Sequence, residues 1–200
     1  CNDISELIPI LNDTHIPVVF ADRPGDDHAD FVGINNENEA FKLLQNFTTK
    51  VKRVVVVCPS VAAVSTIEKR IEGTLRACKQ LDVEHSVLKL SDLTSKADEQ
   101  VREELKKGTD AFVALNNMVA FKLLAALNHA KAKIPKDIKL VSFDDHEAYP
   151  YMDPPISALR QPIYHIGLES VERLVDRLKE TTVPGKHLLL SCEFIKWGSH

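Results

Sequence analysis

The stretch "KLVSFDDHEAYPYMDPPISALRQP", residues 139–162, decides the fold. Its apolar run, residues 140–143, reads as a short buried strand that stops at two adjacent carboxylates, Asp144 and Asp145. In an open α/β sheet, ligands gather beyond the carboxyl ends of the strands. Acids placed there are therefore either a binding or catalytic device, or turn formers.

Outward from this strand, similar runs alternate with helical periodicity through most of the chain. The candidate strands are "PVVFA" (17–21), "RVVVV" (53–57), "HSVLKL" (85–90), "AFVAL" (111–115), "IKLVSF" (138–143) and "HLLLSCEFI" (187–195). Between them, Ile67, Ile71, Leu75 and Cys78 recur at helical spacing, as do Ala97, Val101 and Leu105 ahead of Gly108, a candidate helix C-cap. A last helix carries Ile166, Val171, Leu174, Val175 and Leu178 on one stripe. Asn36 with Glu39 resembles a capping box opening a helix through Phe47. Ile4, Leu7, Ile8 and Leu11 suit a helix that Pro9 would interrupt. Alternation of this kind predicts βα units around a parallel sheet. Polar breaks at residues 48–52, 159–162 and 181–186 mark the segment boundaries.

A chain of 200 residues with 44% hydrophobic and 27% charged residues suits a globular fold with a sizeable core. A formal net charge of −4 offers no general basic field for a nucleic-acid backbone, which points to a pocket. Cys1, Cys58, Cys78 and Cys192 form no C-x-x-C pair and have no histidines at zinc-ligand spacing, the usage expected of reduced cytoplasmic thiols. No apolar run approaches the length of a membrane span, and no signal-like segment opens the chain. The chain begins at Cys1 rather than Met, which suggests a piece of a longer protein. Its last three residues, Gly198, Ser199 and His200, read as an appended end rather than native sequence.

If the sheet is parallel, the residues after each strand share one edge. Asp22 and Arg23, then Cys58, Pro59 and Ser60, then Asn116 and Asn117, then Asp144 and Asp145 fall there. Carboxylates accept hydrogen bonds, a guanidinium donates in a fork, and carboxamides do both, a mixture suited to a ligand with several hydroxyls or ring nitrogens. Arg70, in an otherwise apolar helical pattern, can aim a donor at the same place. Each also has a plainer use: Asp22, Asp144, Asn116 and Asn117 as helix caps, Arg70 in a pair with Glu68 or Glu72. Four strand ends with the same character outweigh any one.

Catalytic patterns are missing: there is no G-x-S-x-G, no G-x-x-x-x-G-K and no G-x-G-x-x-G, and His146-Glu147 lacks the H-E-x-x-H spacing. A magnesium site of Asp22, Asp144 and Asp145 is the enzymatic alternative, without the usual first-strand acidic motif to support it. Neither a catalytic residue, a metal nor a cofactor is expected. Tyr149, Tyr151 and Met152 beside three prolines read either as a core patch or as a subunit contact.

Taken in order, "IPVVFADR", "VGINNENEA", "KRVVVVCP", "RIEGTLRA", "FVALNNMVAFKLLAAL", "IPKDIKLVSFDD" and "PPISALRQPIYHIG" resemble the effector-binding region of the lactose-repressor/galactose-repressor (LacI/GalR) family of bacterial transcription regulators. The resemblance implies a periplasmic-binding-protein-like α/β fold: two Rossmann-like parallel-sheet subdomains joined by three crossovers. On this mapping residues 1–50 and 162–182 form a partial first subdomain and residues 53–159 and 187–197 the second. A helix-turn-helix headpiece would lie outside the chain.

Family effector positions fall on Asp22, Arg70, Asn116, Asp144 and Gln161, with Asp145 ordering the turn. Contacts of a homodimer fall on Phe121, Tyr151 and Met152. The departures are Asn117 where the family has an acid, "TKVKRV" for Gly-His-Arg, and Cys58-Pro59 for Gly-Pro, the last of these at the cleft. The resemblance implies a cytoplasmic non-enzyme that senses a sugar or sugar derivative and controls operator DNA through the headpiece. A periplasmic sugar-binding protein is the alternative with the same fold.

Overall fold

In the computed structural model, residues 9–11, 16–25, 29–46, 51–60, 65–179 and 184–200 are described. Most of the expected first helix lies outside them; residues 9–11 are helical. The larger sheet takes its strands from β3 (Arg53–Pro59), β4 (Glu84–Leu90), β5 (Ala111–Ala114), β6 (Lys139–Phe143), β7 (Ser157–Arg160) and β9 (Glu193–Ile195), in the order β4-β3-β5-β6-β7-β9. All its pairings are parallel except that of β9 with β7. A smaller parallel sheet has the order β1-β2-β8, with β1 at Val19–Ala21, β2 at Asp30–Ile34 and β8 at His187–Leu190.

Both faces of the larger sheet are covered, which is why its strands read as continuous apolar runs. Val54 and Val56 of β3 join Ala40, Leu43 and Leu44 of helix α1 (Asn36–Gln45) and Ala77 and Cys78 of α2 (Ser65–Gln80). Val55 and Val57 face Ala97 and Val101 of α3 (Thr94–Lys106) and Leu123 and Leu127 of α4 (Asn117–His129). The first of these clusters also takes Val32 and Ile34 of β2 and Ile166 of α5 (Ile163–Lys179), so one core runs under both sheets. Helix α3 ends as expected: Gly108 adopts φ 79 and donates its N–H to the Leu105 carbonyl.

Several expectations are corrected. The run at 187–195 is not one strand: residues 187–190 pair with β2 and residues 193–195 with β7, so the segment expected wholly in the second unit serves both sheets. Strands β2 and β7 were not anticipated, because "DFVGI" and "SALR" are short and carry residues of poor strand propensity.

Asn35, not Asn36, caps α1, its Oδ1 accepting from the Asn38 N–H at 2.9 Å, while the Glu39 carboxylate turns away to Lys42 and to the Cys192 N–H. Helix α1 packs closely on α2. The two helices approach so closely that a Cβ on Gly73 would stand 2.0 Å from the Glu37 carbonyl oxygen. Only a residue without a side chain fits there.

The end of the chain is integral to the fold. Ser199 is fully buried; its carbonyl accepts the Leu140 N–H, and its hydroxyl bonds the Leu140 carbonyl and accepts the Ser157 N–H. His200 Nδ1 lies 2.8 Å from the Ser157 hydroxyl. An appended end has no reason to complete the backbone bonding of two strands. Along α5 only Ile166 is buried, and Val171 and Leu178 are exposed. That helix is anchored instead by Asp30, an acid 1% exposed at the start of β2, which accepts from Arg173 at 2.6 Å, from Arg177 and from the Lys186 N–H. Burial alone would raise its carboxyl pKa, but the two guanidinium groups hold it below the usual value.

Candidate functional site

Two of the predicted acids sit at strand ends in the left-handed backbone region, Asp22 after β1 with φ 66 and Asp144 after β6 with φ 73. Aspartate tolerates this conformation better than most side chains, and it turns the chain sharply out of the sheet. Asp144 caps no α-helix, since the next element is the short 3-10 turn Tyr149–Tyr151. Its carboxylate is engaged on both sides. Oδ2 accepts from Arg70 Nη1 at 2.9 Å, and Oδ1 accepts from the Gln161 amide.

Arg70 comes from the middle of α2 and is 5% exposed. Besides Asp144 it donates from Nη1 to the Leu115 carbonyl at the end of β5, at 2.9 Å, and from Nε to the Asn36 side-chain oxygen at 2.8 Å. Its guanidinium carbon lies 3.8 Å from the centre of the Phe143 ring, a cation–π stack that holds the plane. The expected surface pairing of Arg70 with Glu68 or Glu72 does not form; Glu72 pairs with Lys69. One arginine thus ties together the ends of β5 and β6 and the start of α1.

A cavity of about 480 Å³ opens over these strand ends, lined by Asn117, Asp144, Asp145, His146, Glu147, Arg160, Gln161 and Ile163. Of the five predicted site residues, Asp144 and Gln161 line it directly and Arg70 stands behind Asp144. Asn116 does not line it, because its Oδ1 caps α4 by accepting the Val119 N–H at 2.8 Å. Asp22 ends a strand of the other sheet, exposed, with Arg23 at 4.0 Å. Asp145 is more than a turn former: its Oδ2 accepts from Arg160 Nε and Nη2, each at 2.7 Å, while its buried Oδ1 has no partner among the described residues. Arg160 and Ile163 lie inside the motif "PPISALRQPIYHIG" and His146 directly follows "SFDD", but none was singled out as a site residue. Only the adjacency of β6 and β7 brings them in.

The aromatic patch divides. Tyr149 is fully buried, its hydroxyl 3.0 Å from the Ser142 hydroxyl, and burial keeps the phenol protonated well above its usual range. Phe121 packs edge-on against His146 and Tyr149, and Met152 leans on the same core. Tyr151 is 90% exposed. Cys58, Cys78 and Cys192 are free thiols, and burial pushes Cys78 up to about 11 and, with the Glu39 charge adding to it, Cys192 up to about 12. Burial of this kind disfavours the reactive thiolate at neutral pH. Among the described residues no group of three or more His, Cys, Asp or Glu could hold a metal ion, and no helix is long and apolar enough to cross a membrane.

Residues 47–199 match the family model of a periplasmic binding protein-like domain. A probable opine utilization operon repressor of Rhizobium rhizogenes is 33% identical over 143 residues, 68% of this chain and 72% of that protein. The transcriptional repressor PurR of Aliivibrio salmonicida is 24% identical over 192 residues; the match covers 90% of this chain but only 56% of that repressor's length. In three dimensions the chain resembles the LacI family regulator of Enterococcus faecium with bound ribose, with a TM-score of 0.84 at 20% identity, over 99% of this chain and 76% of the other.

Proposed function

Because the chain belongs to the periplasmic binding protein-like domain family in its lactose-repressor/galactose-repressor line, we propose that it is the effector-sensing region of a transcription regulator. Its ligand is a small polyhydroxylated molecule, a sugar or sugar derivative, held over the strand ends of the larger sheet. The observation that carries this reading is the Arg70–Asp144–Gln161 chain at the rim of the cavity, where an acceptor and donors of fixed direction meet beside the passages between the two sheets. A ligand acts there by favouring one arrangement of the sheets over another, and the preference reaches the DNA-binding part by linkage. That part would lie outside this chain, whose net charge of −4 offers no general basic field to a nucleic-acid backbone.

A thermal-melting screen of pentoses, hexoses, purines and sugar–amino acid conjugates against the full-length protein tests this. A true effector at a hundredfold excess over its Kd stabilises by about 2.7 kcal/mol, which raises Tm by roughly 5–10 °C. The shift should fall to about half or less in Asp144→Ala. A shift of equal size in that variant would place the ligand elsewhere. The transport alternative shares the cavity but requires an exported protein, and the relatives named as repressors favour the regulator.

We place a homodimer contact on the face of Tyr151, Met152 and Phe121. Since Phe121 is packed internally, Tyr151→Glu is the cleaner probe: it should lower the sedimentation coefficient of the full-length protein without lowering Tm. An unchanged coefficient would remove this face from the interface.

A further inference from the structure

The chain passes between the two sheets three times: from β2 to α1 at Asn35 and Asn36, from β7 to α5 at Gln161 and Pro162, and from β8 to β9 at Ser191 and Cys192. A polar side-chain contact is made at each passage. Asn36 accepts from Arg70, Gln161 donates to Asp144, and the Cys192 N–H donates to the Glu39 carboxylate at 3.3 Å. The three contacts are not independent. Arg70 and Asp144 bond each other, and Asn36 and Glu39 lie one turn apart on α1, both buried.

From this we infer that Asp144 is the junction of one hydrogen-bonded chain, Gln161–Asp144–Arg70–Asn36, which through α1 and Glu39 fastens all three crossovers, so that whatever occupies Asp144 sets how firmly the two sheets are held together. Asn36 and Glu39 are positioning residues in this scheme; neither lines the cavity. The inference deepens the effector reading by giving the route from site to hinge. A ligand hydroxyl that donates to Asp144 competes with the Gln161 amide for the same carboxylate, since Asp144 and Gln161 both line the cavity while Arg70 holds Oδ2. The second crossover is released first, and any shift of Arg70 is passed to the first through Asn36.

Amide hydrogen exchange on the full-length protein without ligand tests the connection. Useful reporters are the Asn38 and Glu39 amides at the first crossover, Ile163 and Ile166 at the second and Cys192 at the third, all hydrogen-bonded in the structure. In Asp144→Ala, exchange should quicken about tenfold at reporters of all three, the loss expected of hydrogen bonds to a charged group. The β3 amides should stay as slow as in the parent.

Asn36→Ala is the second variant, and it decides the matter should Asp144→Ala fail to fold. It should quicken Ile163 and Ile166 as well as Asn38 and Glu39, although Asn36 touches neither Gln161 nor α5. Quickening confined to the substituted crossover, or none anywhere, overturns the inference. Because no ligand is present, that failure would leave the sensing function standing, and a failed ligand screen would leave the hinge chain standing.

Discussion

Asp144→Asn is expected to weaken effector binding by roughly one to two decades, the loss of one charge-assisted hydrogen bond. Both carboxylate oxygens are acceptors here, toward Arg70 and toward Gln161. An asparagine offers one oxygen, one amide and no charge, so one of the two acceptor positions is lost and any acceptor left for the ligand is neutral and weaker. Calorimetric titration of the full-length protein with the effector found by melting gives the affinity, and parallel melting curves separate folding from binding. Asp145→Asn is the comparison. Its Oδ2 holds Arg160 and its Oδ1 is buried without a partner among the described residues, so it should move stability more than affinity. Parent-like binding by Asp144→Asn would sink the assignment of that acid to the ligand. Weakened binding in Asp145→Asn alone would exchange their roles.

Asp30→Asn should destabilise the protein by about 3 kcal/mol, at the lower end of the range for breaking a buried ion pair, since both arginines keep partial access to water. That corresponds to a fall in Tm of roughly 6–12 °C. The carboxylate accepts from Arg173, Arg177 and the Lys186 N–H, and asparagine would put a neutral side chain with a single acceptor oxygen before these three donors.

The pH dependence follows from the sign of the shift. Asp30 has a folded pKa below its unfolded one, so its contribution is complete above the unfolded value near 4 (roughly) and is lost as pH falls through the folded value. The difference in stability between parent and Asp30→Asn should therefore be constant at neutral pH and shrink only below about pH 4. A difference that already shrinks between pH 7 and 5, or a Tm unchanged by the substitution, would show that the acid does not anchor α5 to the smaller sheet.

What the sequence determined by itself is the set of local propensities and their order. The runs "RVVVV", "AFVAL" and "IKLVSF" are nearly continuous apolar stretches because both sheet faces are covered, the pattern expected of a buried parallel strand. Asp144 could be singled out because it follows such a run directly, and Gly108 because a helix ending there needs a left-handed residue.

Tertiary structure alone decided the pairings. Whether "HLLLSCEFI" is one strand or two depends on which sheets lie on either side of it. The short strand "DFVGI" opens on a buried acid whose partners, Arg173 and Arg177, lie more than 140 positions away. The same holds for the site. Arg70 reaches Asp144 and Asn36 across 74 and 34 positions, and Ser199 looks dispensable until the edge of β6 is beside it. A strand or a turn is chosen by interactions within a few residues and can be read along the chain. A hydrogen-bond partner is chosen by burial, and burial exists only once the sheets have closed.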